Sequence, residues 1–144
     1  MYRFLILLGV LLLFQNCEKK NFQRNPFLQE AKFSKTYKLN LPEYNKLRIA
    51  GGVVQLDNVG LRGIVVINIG NNYMMAWDRA CPSQALSDCS QMTLESDHLS
   101  MLCPCTGVKY SLVNGLPLSG TSSYPMLNYQ VVVKQGGKEI EIFN

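Results

Sequence analysis

The sequence predicts an all-β domain with two cysteine-bearing loops at strand ends. Three observations carry this. Short runs rich in β-branched residues, such as Gly63-Ile64-Val65-Val66-Ile67-Asn68-Ile69, recur between turn signals such as Gly70-Asn71-Asn72, Asn114-Gly115 and Gln135-Gly136-Gly137. No stretch of ten or more residues after the first 16 has helical periodicity. Two similar loops, Ala80-Cys81-Pro82-Ser83 and Cys103-Pro104-Cys105-Thr106-Gly107-Val108-Lys109-Tyr110, each follow a β-like run, and in each a Pro follows the first cysteine and stiffens the backbone. Paired cysteine loops at strand ends are one way to grip a small inorganic centre.

The elements follow in order. Arg3 and the apolar run Phe4 to Phe14 have the form of an export signal. That run is too short for a span, which takes roughly 20 apolar residues. Gln15-Asn16-Cys17 then ends the apolar run. A lone cysteine at this boundary resembles a bacterial lipoprotein site, although Gln15 and Asn16 replace the usual small residues. The expected division is a signal peptide over 1–16, a tether over 17–35 from acylated Cys17, and one domain over 36–144. The polar tether is expected to order where Phe27, Leu28 and Phe33 dock.

Within the domain, strands are expected at Tyr37 to Leu41, ended by Pro42, and at Val53 to Leu56, Gly63 to Ile69 and Tyr73 to Asp78. Leu47-Arg48-Ile49 either pairs or lies along the surface. Gln84 to Gln91 reads as loop or a single helical turn. Met92 to Glu95 and His98 to Leu102 form a hairpin about Ser96-Asp97, which puts His98, the only histidine, on a strand. Tyr110-Ser111-Leu112 is a short strand, Leu116 to Pro125 a loop, and Leu127 to Lys134 with Lys138 to Phe143 a closing hairpin.

The chain of 144 residues accommodates one domain plus the N-terminal extension, and 47% hydrophobic residues describe an ordinary core. The net charge of +4 comes from scattered lysines and arginines. This pattern reads as a solvated surface, and no nucleic-acid partner is expected. Catalytic signatures are missing: one histidine excludes most metal-hydrolase sets, and there is no nucleophile elbow or phosphate loop. Asp78, Asp88 and Asp97 near the loops read as caps or solvated groups. The chain is therefore expected not to be an enzyme.

Cys17 aside, the chain has Cys81, Cys89, Cys103 and Cys105. Four cysteines in an exported chain read as disulfides with three possible connectivities. A four-thiolate zinc or iron–sulfur site is the competing reading. It fits less well, because Cys-Pro-Cys is tighter than the usual zinc spacing and Cys89 has no close partner in sequence. Thiol–disulfide exchange is not expected in the absence of a C-x-x-C motif.

The two loops resemble those of the Rieske [2Fe–2S] domain, which read C-x-H and C-x-x-H, often C-P-H and C-P-C-H-G. Two cysteines there hold one iron and two histidines the other. The resemblance runs from about Lys38 to Phe143 and includes Ala76-Trp77-Asp78, Gly107, Tyr110-Ser111-Leu112, Asn114-Gly115 and the Leu127-x-Tyr129-x-Val131 strand. The resemblance implies an antiparallel β-sandwich or barrel with the two cysteine-bearing loops at one tip. By position the cluster cysteines are Cys81 and Cys103, while Ser83 and Thr106 stand at the histidine positions. Hydroxyls are poor substitutes for imidazole on iron. No cofactor or metal is therefore expected, the alternative being a periplasmic [2Fe–2S] electron-transfer protein with unusual ligands from Ser83, Thr106 or His98.

The resemblance also implies a pairing, Cys81–Cys103 where the cluster thiolates would meet and Cys89–Cys105 as the flanking bridge. It looks most like small, lipid-anchored Rieske-like proteins of bacterial envelopes. The expected function is a binding or structural role in the envelope, periplasmic or surface-facing. Its membrane contact is the lipid on Cys17, and an envelope protein partner is expected at the loop tip, residues 81–86 and 104–109.

Overall fold

The computed structural model describes residues 25–30, 32–122 and 124–144, so the expected signal segment and Cys17 lie outside the described residues. The strands are β1 (Ser34–Lys38), β2 (Val53–Leu56), β3 (Ile64–Gly70), β4 (Tyr73–Asp78), β5 (Thr93–Leu94), β6 (Ser100–Leu102), β7 (Lys109–Ser111), β8 (Asn128–Lys134) and β9 (Glu139–Phe143). Six of them form one sheet in the order β1-β9-β8-β4-β3-β2, and the other three form a second sheet, β5-β6-β7. All pairings are antiparallel. The all-β expectation holds. Among the described residues the helical content is a 3-10 turn at Asn45–Arg48, and no helix is long and apolar enough to cross a membrane.

Strand β3 shows why the cores lie where they do. Alternate side chains point to opposite faces of a sheet, and here both faces are covered. Ile64 and Val66 enter one core with Leu39, Leu47, Leu56, Ile140 and Ile142. Val65 and Ile67 enter a second core with Trp77, Met92, Met101, Tyr110 and Leu112, under the small sheet. This explains an uninterrupted β-branched run where a one-sided strand would alternate. Each such side chain, fully buried, contributes about 1.5–3 kcal/mol. Cys81 and Cys103 belong to the second core, so the cysteine tip is continuous with the hydrophobic interior.

The turns follow their chemistry. Asn71 and Asn72 close β3–β4 with φ of 51° and 58°, and Gln135, Gly136 and Gly137 close β8–β9 with φ of 50°, 65° and 89°. At Gly115 a side chain is excluded twice over. Its φ is 71°, and a Cβ there would meet the Trp77 ring at 2.5 Å. Trp77 is held in that position by its Nε1–H, which donates to the Leu112 carbonyl at 2.7 Å.

Three expectations are corrected. The first strand spans Ser34–Lys38, earlier than Tyr37 to Leu41, because β9 sets its register through Ser34↔Phe143 to Lys38↔Glu139. Leu39 is fully buried beyond the strand end, and the chain turns before Pro42. Leu47-Arg48 belongs to the 3-10 turn, which buries Leu47. His98 is in the β5–β6 turn, not on a strand, and has φ 56°. Asp97 places it there by accepting from Leu99 N at 2.8 Å and Ser100 N at 3.0 Å, an Asx-type turn.

Candidate functional site

The first cysteine loop is pinched at its base. Cys81 N donates to Ser90 O at 2.8 Å, Met92 N donates to Arg79 O at 2.6 Å, and Ala80 pairs with Gln91. Between these bonds, Ser87 N donates to Ser90 Oγ and Ser90 Oγ donates back to Ser87 O, giving the loop an internal brace. The second loop closes on Cys103. Its carbonyl accepts from Gly107 N at 2.8 Å and Thr106 N at 3.3 Å, while its N–H donates to Val108 O at 2.9 Å. Gly107 takes φ 71°, a conformation that glycine adopts without cost.

Two disulfides join the loops, Cys81–Cys103 with Cα atoms 5.5 Å apart and Cys89–Cys105 at 5.3 Å. This is the pairing that the Rieske resemblance implied. The two bridges differ in setting. Cys81 and Cys103 are 0% and 1% exposed, whereas Cys89 is exposed and Cys105 half-buried. The sulfurs of Cys81, Cys103 and Cys105 nevertheless all lie within 4.8 Å of one another.

The other predicted positions separate. Ser83 is half-buried, and its hydroxyl is 2.5 Å from Ser122 Oγ and 3.3 Å from the Tyr110 hydroxyl. Tyr110 in turn donates to Ser122 Oγ at 2.9 Å, and Ser122 Oγ donates to Tyr124 O. Ser83 is thus the link between the first loop and the 116–125 loop. Thr106 is exposed, and its hydroxyl accepts from Val108 N at 3.4 Å. His98 is at the opposite end of β6 from Cys103 and lines a groove with Lys46, Ile49 and Val53, so it does not meet the cysteine loops.

Asp78, at the end of β4, accounts for the loop's position. Its carboxylate is fully buried and accepts from Leu61 N at 2.6 Å, Arg62 N at 3.2 Å, Ala80 N at 2.7 Å and the Tyr129 hydroxyl at 2.8 Å. Burial pushes the carboxyl above its ordinary range against the pull of those four donors. Burial and the neighbouring Asp78 charge also push the Tyr129 phenol up. Gly60 leaves the space this requires, since a Cβ there would lie 2.5 Å from Asp78 Oδ2. Asp97 is a cap, as expected of it, and donors from Leu99 and Ser100 hold its carboxyl below the ordinary range.

The described residues before β1 dock on this tip. Asn25 Nδ2 donates to Pro82 O at 2.7 Å, and Phe27 packs edge-on against Tyr124 with ring centroids 5.8 Å apart. Leu28 is buried and Phe33 packs on Tyr129. The sequence places Phe27, Leu28 and Phe33 correctly, and it sets Gln84 and Tyr110 in the cysteine loops, but it gives no sign of Ser122 and Ser87 as their partners. Their partners are mostly distant in sequence, and a hydroxyl carries no period from which such a partner could be read.

No protein-family model matches the chain, and no curated protein matches it. Among solved structures it is similar to the cyanobacterial plasma membrane Rieske protein of Synechocystis PCC 6803 (20% identity, 56% of this chain and 75% of that one, TM-score 0.45). It is also similar to the ferredoxin of carbazole 1,9a-dioxygenase from Nocardioides aromaticivorans IC177 (19% identity, 79% and 96%, TM-score 0.46). A third similar structure is a complex of reduced oxygenase and oxidised ferredoxin in carbazole 1,9a-dioxygenase (21% identity, 75% and 92%, TM-score 0.48).

Proposed function

We propose that the chain is a lipid-anchored envelope protein whose Rieske-like domain holds no iron–sulfur cluster and serves binding or structure through a disulfide-stapled tip. One observation carries this reading: the two cysteines at cluster-ligand positions are bonded to each other, Cys81 to Cys103. The remaining donors fit a cluster no better. Ser83 is committed to Ser122 and Tyr110, and Thr106 offers a neutral hydroxyl where iron takes imidazole. Purified protein is expected to be colourless, with no stoichiometric iron or acid-labile sulfide. Visible absorbance with two irons and two sulfides per chain would overturn the reading in favour of an electron carrier.

The docked tether supports a membrane-proximal tip. Asn25 lies eight residues after Cys17, so an extended chain spans at most about 28 Å. A lipid on Cys17 would thus hold the residue that bonds Pro82 within that distance of the bilayer. A partner at residues 81–86 and 104–109 would then be a protein of the same membrane surface. Several acyl chains give stable anchoring, each buried CH₂ contributing about 0.8 kcal/mol. Cys17→Ser is expected to block processing or move the protein to the soluble fraction. Retention at wild-type levels would instead indicate an uncleaved apolar anchor.

A further inference from the structure

The two disulfides are unequal in access but close in space, and the loop around the outer one is built toward a sulfur. Gln84 Nε2 donates to Cys105 Sγ. The Ser87 hydroxyl lies 3.7 Å from Cys105 Sγ and 3.6 Å from Cys89 Sγ, and it also accepts from Gln84 Nε2 at 3.4 Å. Ser87 is held in place from both sides, by the Ser90 brace and by Arg62 Nη2, which donates to its carbonyl at 2.9 Å. A disulfide sulfur is a weak acceptor, whereas a thiolate is a strong one. The Ser87 proton can serve either sulfur, whereas Gln84 donates to Cys105 alone, so the pair favours the state in which the S–S bond has opened and the charge resides on Cys105.

We propose that the tip is a thiol–disulfide exchange site for a dithiol partner, in which Cys89 takes the attack, Cys105 leaves as a hydrogen-bonded thiolate, and Cys105 then exchanges with the buried Cys81–Cys103 bond. The first step needs an accessible electrophile and a good leaving group. Cys89 is exposed and supplies the first; Gln84 and Ser87 supply the second. The partner's thiolate bonds to Cys89 Sγ, the Cys89–Cys105 bond breaks, and its electron pair goes to Cys105 Sγ. The partner's second thiol, after losing its proton to solvent, displaces Cys89. This leaves a partner disulfide and two protein thiols, so two electrons have passed to the chain.

The second step is internal. Cys105 Sγ lies within 4.8 Å of the Cys81 and Cys103 sulfurs, which solvent does not reach. Attack at Cys103 would close a small Cys-Pro-Cys ring, so Cys81 is the target. A Cys81–Cys105 bond forms, the Cys81–Cys103 bond breaks, and Cys103 takes the electron pair as a thiolate. One interloop bond survives throughout, so the loops stay tied while the redox state changes. The chain has no C-x-x-C motif, and its sulfurs meet through the fold.

The test uses the full chain in detergent and dithiothreitol as the dithiol, with free thiols trapped by alkylation and mapped by mass spectrometry. At low dithiol, thiols are expected first at Cys89 and Cys105, then at Cys89 and Cys103 together with a Cys81–Cys105 bond, while the far-ultraviolet signal stays native. In Cys89→Ser/Cys105→Ser the buried bond is expected to open at least about tenfold more slowly, because its internal nucleophile is gone. Gln84→Glu, which keeps the shape but places an anion at Cys105, is expected to slow the first opening several-fold without shifting the melting temperature. The proposal is overturned if the buried bond opens as fast in the double variant as in wild type, if no Cys81–Cys105 species forms, or if Gln84→Glu leaves the first opening unchanged.

Discussion

Asp78→Ala is expected to lower the unfolding free energy by about 3 kcal/mol, the cost of leaving buried donors without an acceptor. Two of its four partners are fully buried, Ala80 N and the Tyr129 hydroxyl, and each orphaned donor costs about 1–3 kcal/mol. Removing a buried carboxylate returns part of that, since its desolvation is relieved. The loss also reaches the first cysteine loop, because Ala80 immediately precedes Cys81. Limited proteolysis should therefore cut wild-type protein slowly and the variant quickly within 82–91.

The pH dependence follows from the direction in which Asp78 is shifted. Burial raises its folded pKa above the unfolded value, so the folded state holds the proton more tightly. The stabilisation due to this proton is fully present below the unfolded pKa and is lost as pH rises through the folded one. Asp78→Asn removes that dependence. Its deficit against wild type, measured by urea unfolding, is expected to be larger at pH 4 than at pH 7. An equal deficit at both values would mean that the four donors offset burial, and a smaller deficit at pH 4 that the donors, not burial, govern the group.

What could be read from the sequence was local or carried by the family resemblance. The β3 run, the Asn71-Asn72 and Gly136-Gly137 turns and the limits of β4 follow from side-chain type alone, as neighbouring residues decide them. The disulfide pairing was legible because the loop pattern resembles one in which those cysteines meet. Asp78 reads as a cap or solvated group; it caps backbone N–H groups, but its burial is not legible because its donors at 61, 62 and 129 are brought together only by β3–β4 and β4–β8 pairing. Ser83 and Ser122 are separated by 39 residues, and Asn25 and Pro82 by 57. His98 had a readable signal that the strand pattern overrode: Asp97 beside it is a residue that bonds the backbone two positions on.

Removing the two disulfides separately is expected to have unequal effects, and removing both to unfold the domain. The bridges join residues 22 and 16 apart, so loop-closure entropy assigns each about 3 kcal/mol. Their surroundings then separate them. Cys81 and Cys103 pack in the second core beside Trp77, Met92, Met101 and Tyr110, so Cys81→Ala/Cys103→Ala adds a cavity to the lost crosslink. The exposed Cys89 and half-buried Cys105 add little of this kind. The inner pair is thus expected to cost about 4–5 kcal/mol and the outer pair about 2–3 kcal/mol. Together they approach the whole stability of a typical domain, about 5–15 kcal/mol. Urea midpoints of the two double variants and the quadruple variant decide the matter. Equal midpoints for the two pairs would mean that chain entropy alone accounts for the bridges and that the sulfurs of the inner pair contribute nothing by packing. A quadruple variant that folds as well as wild type would mean that the hydrogen bonds around Asp78 and Ser83 hold the tip without any covalent staple.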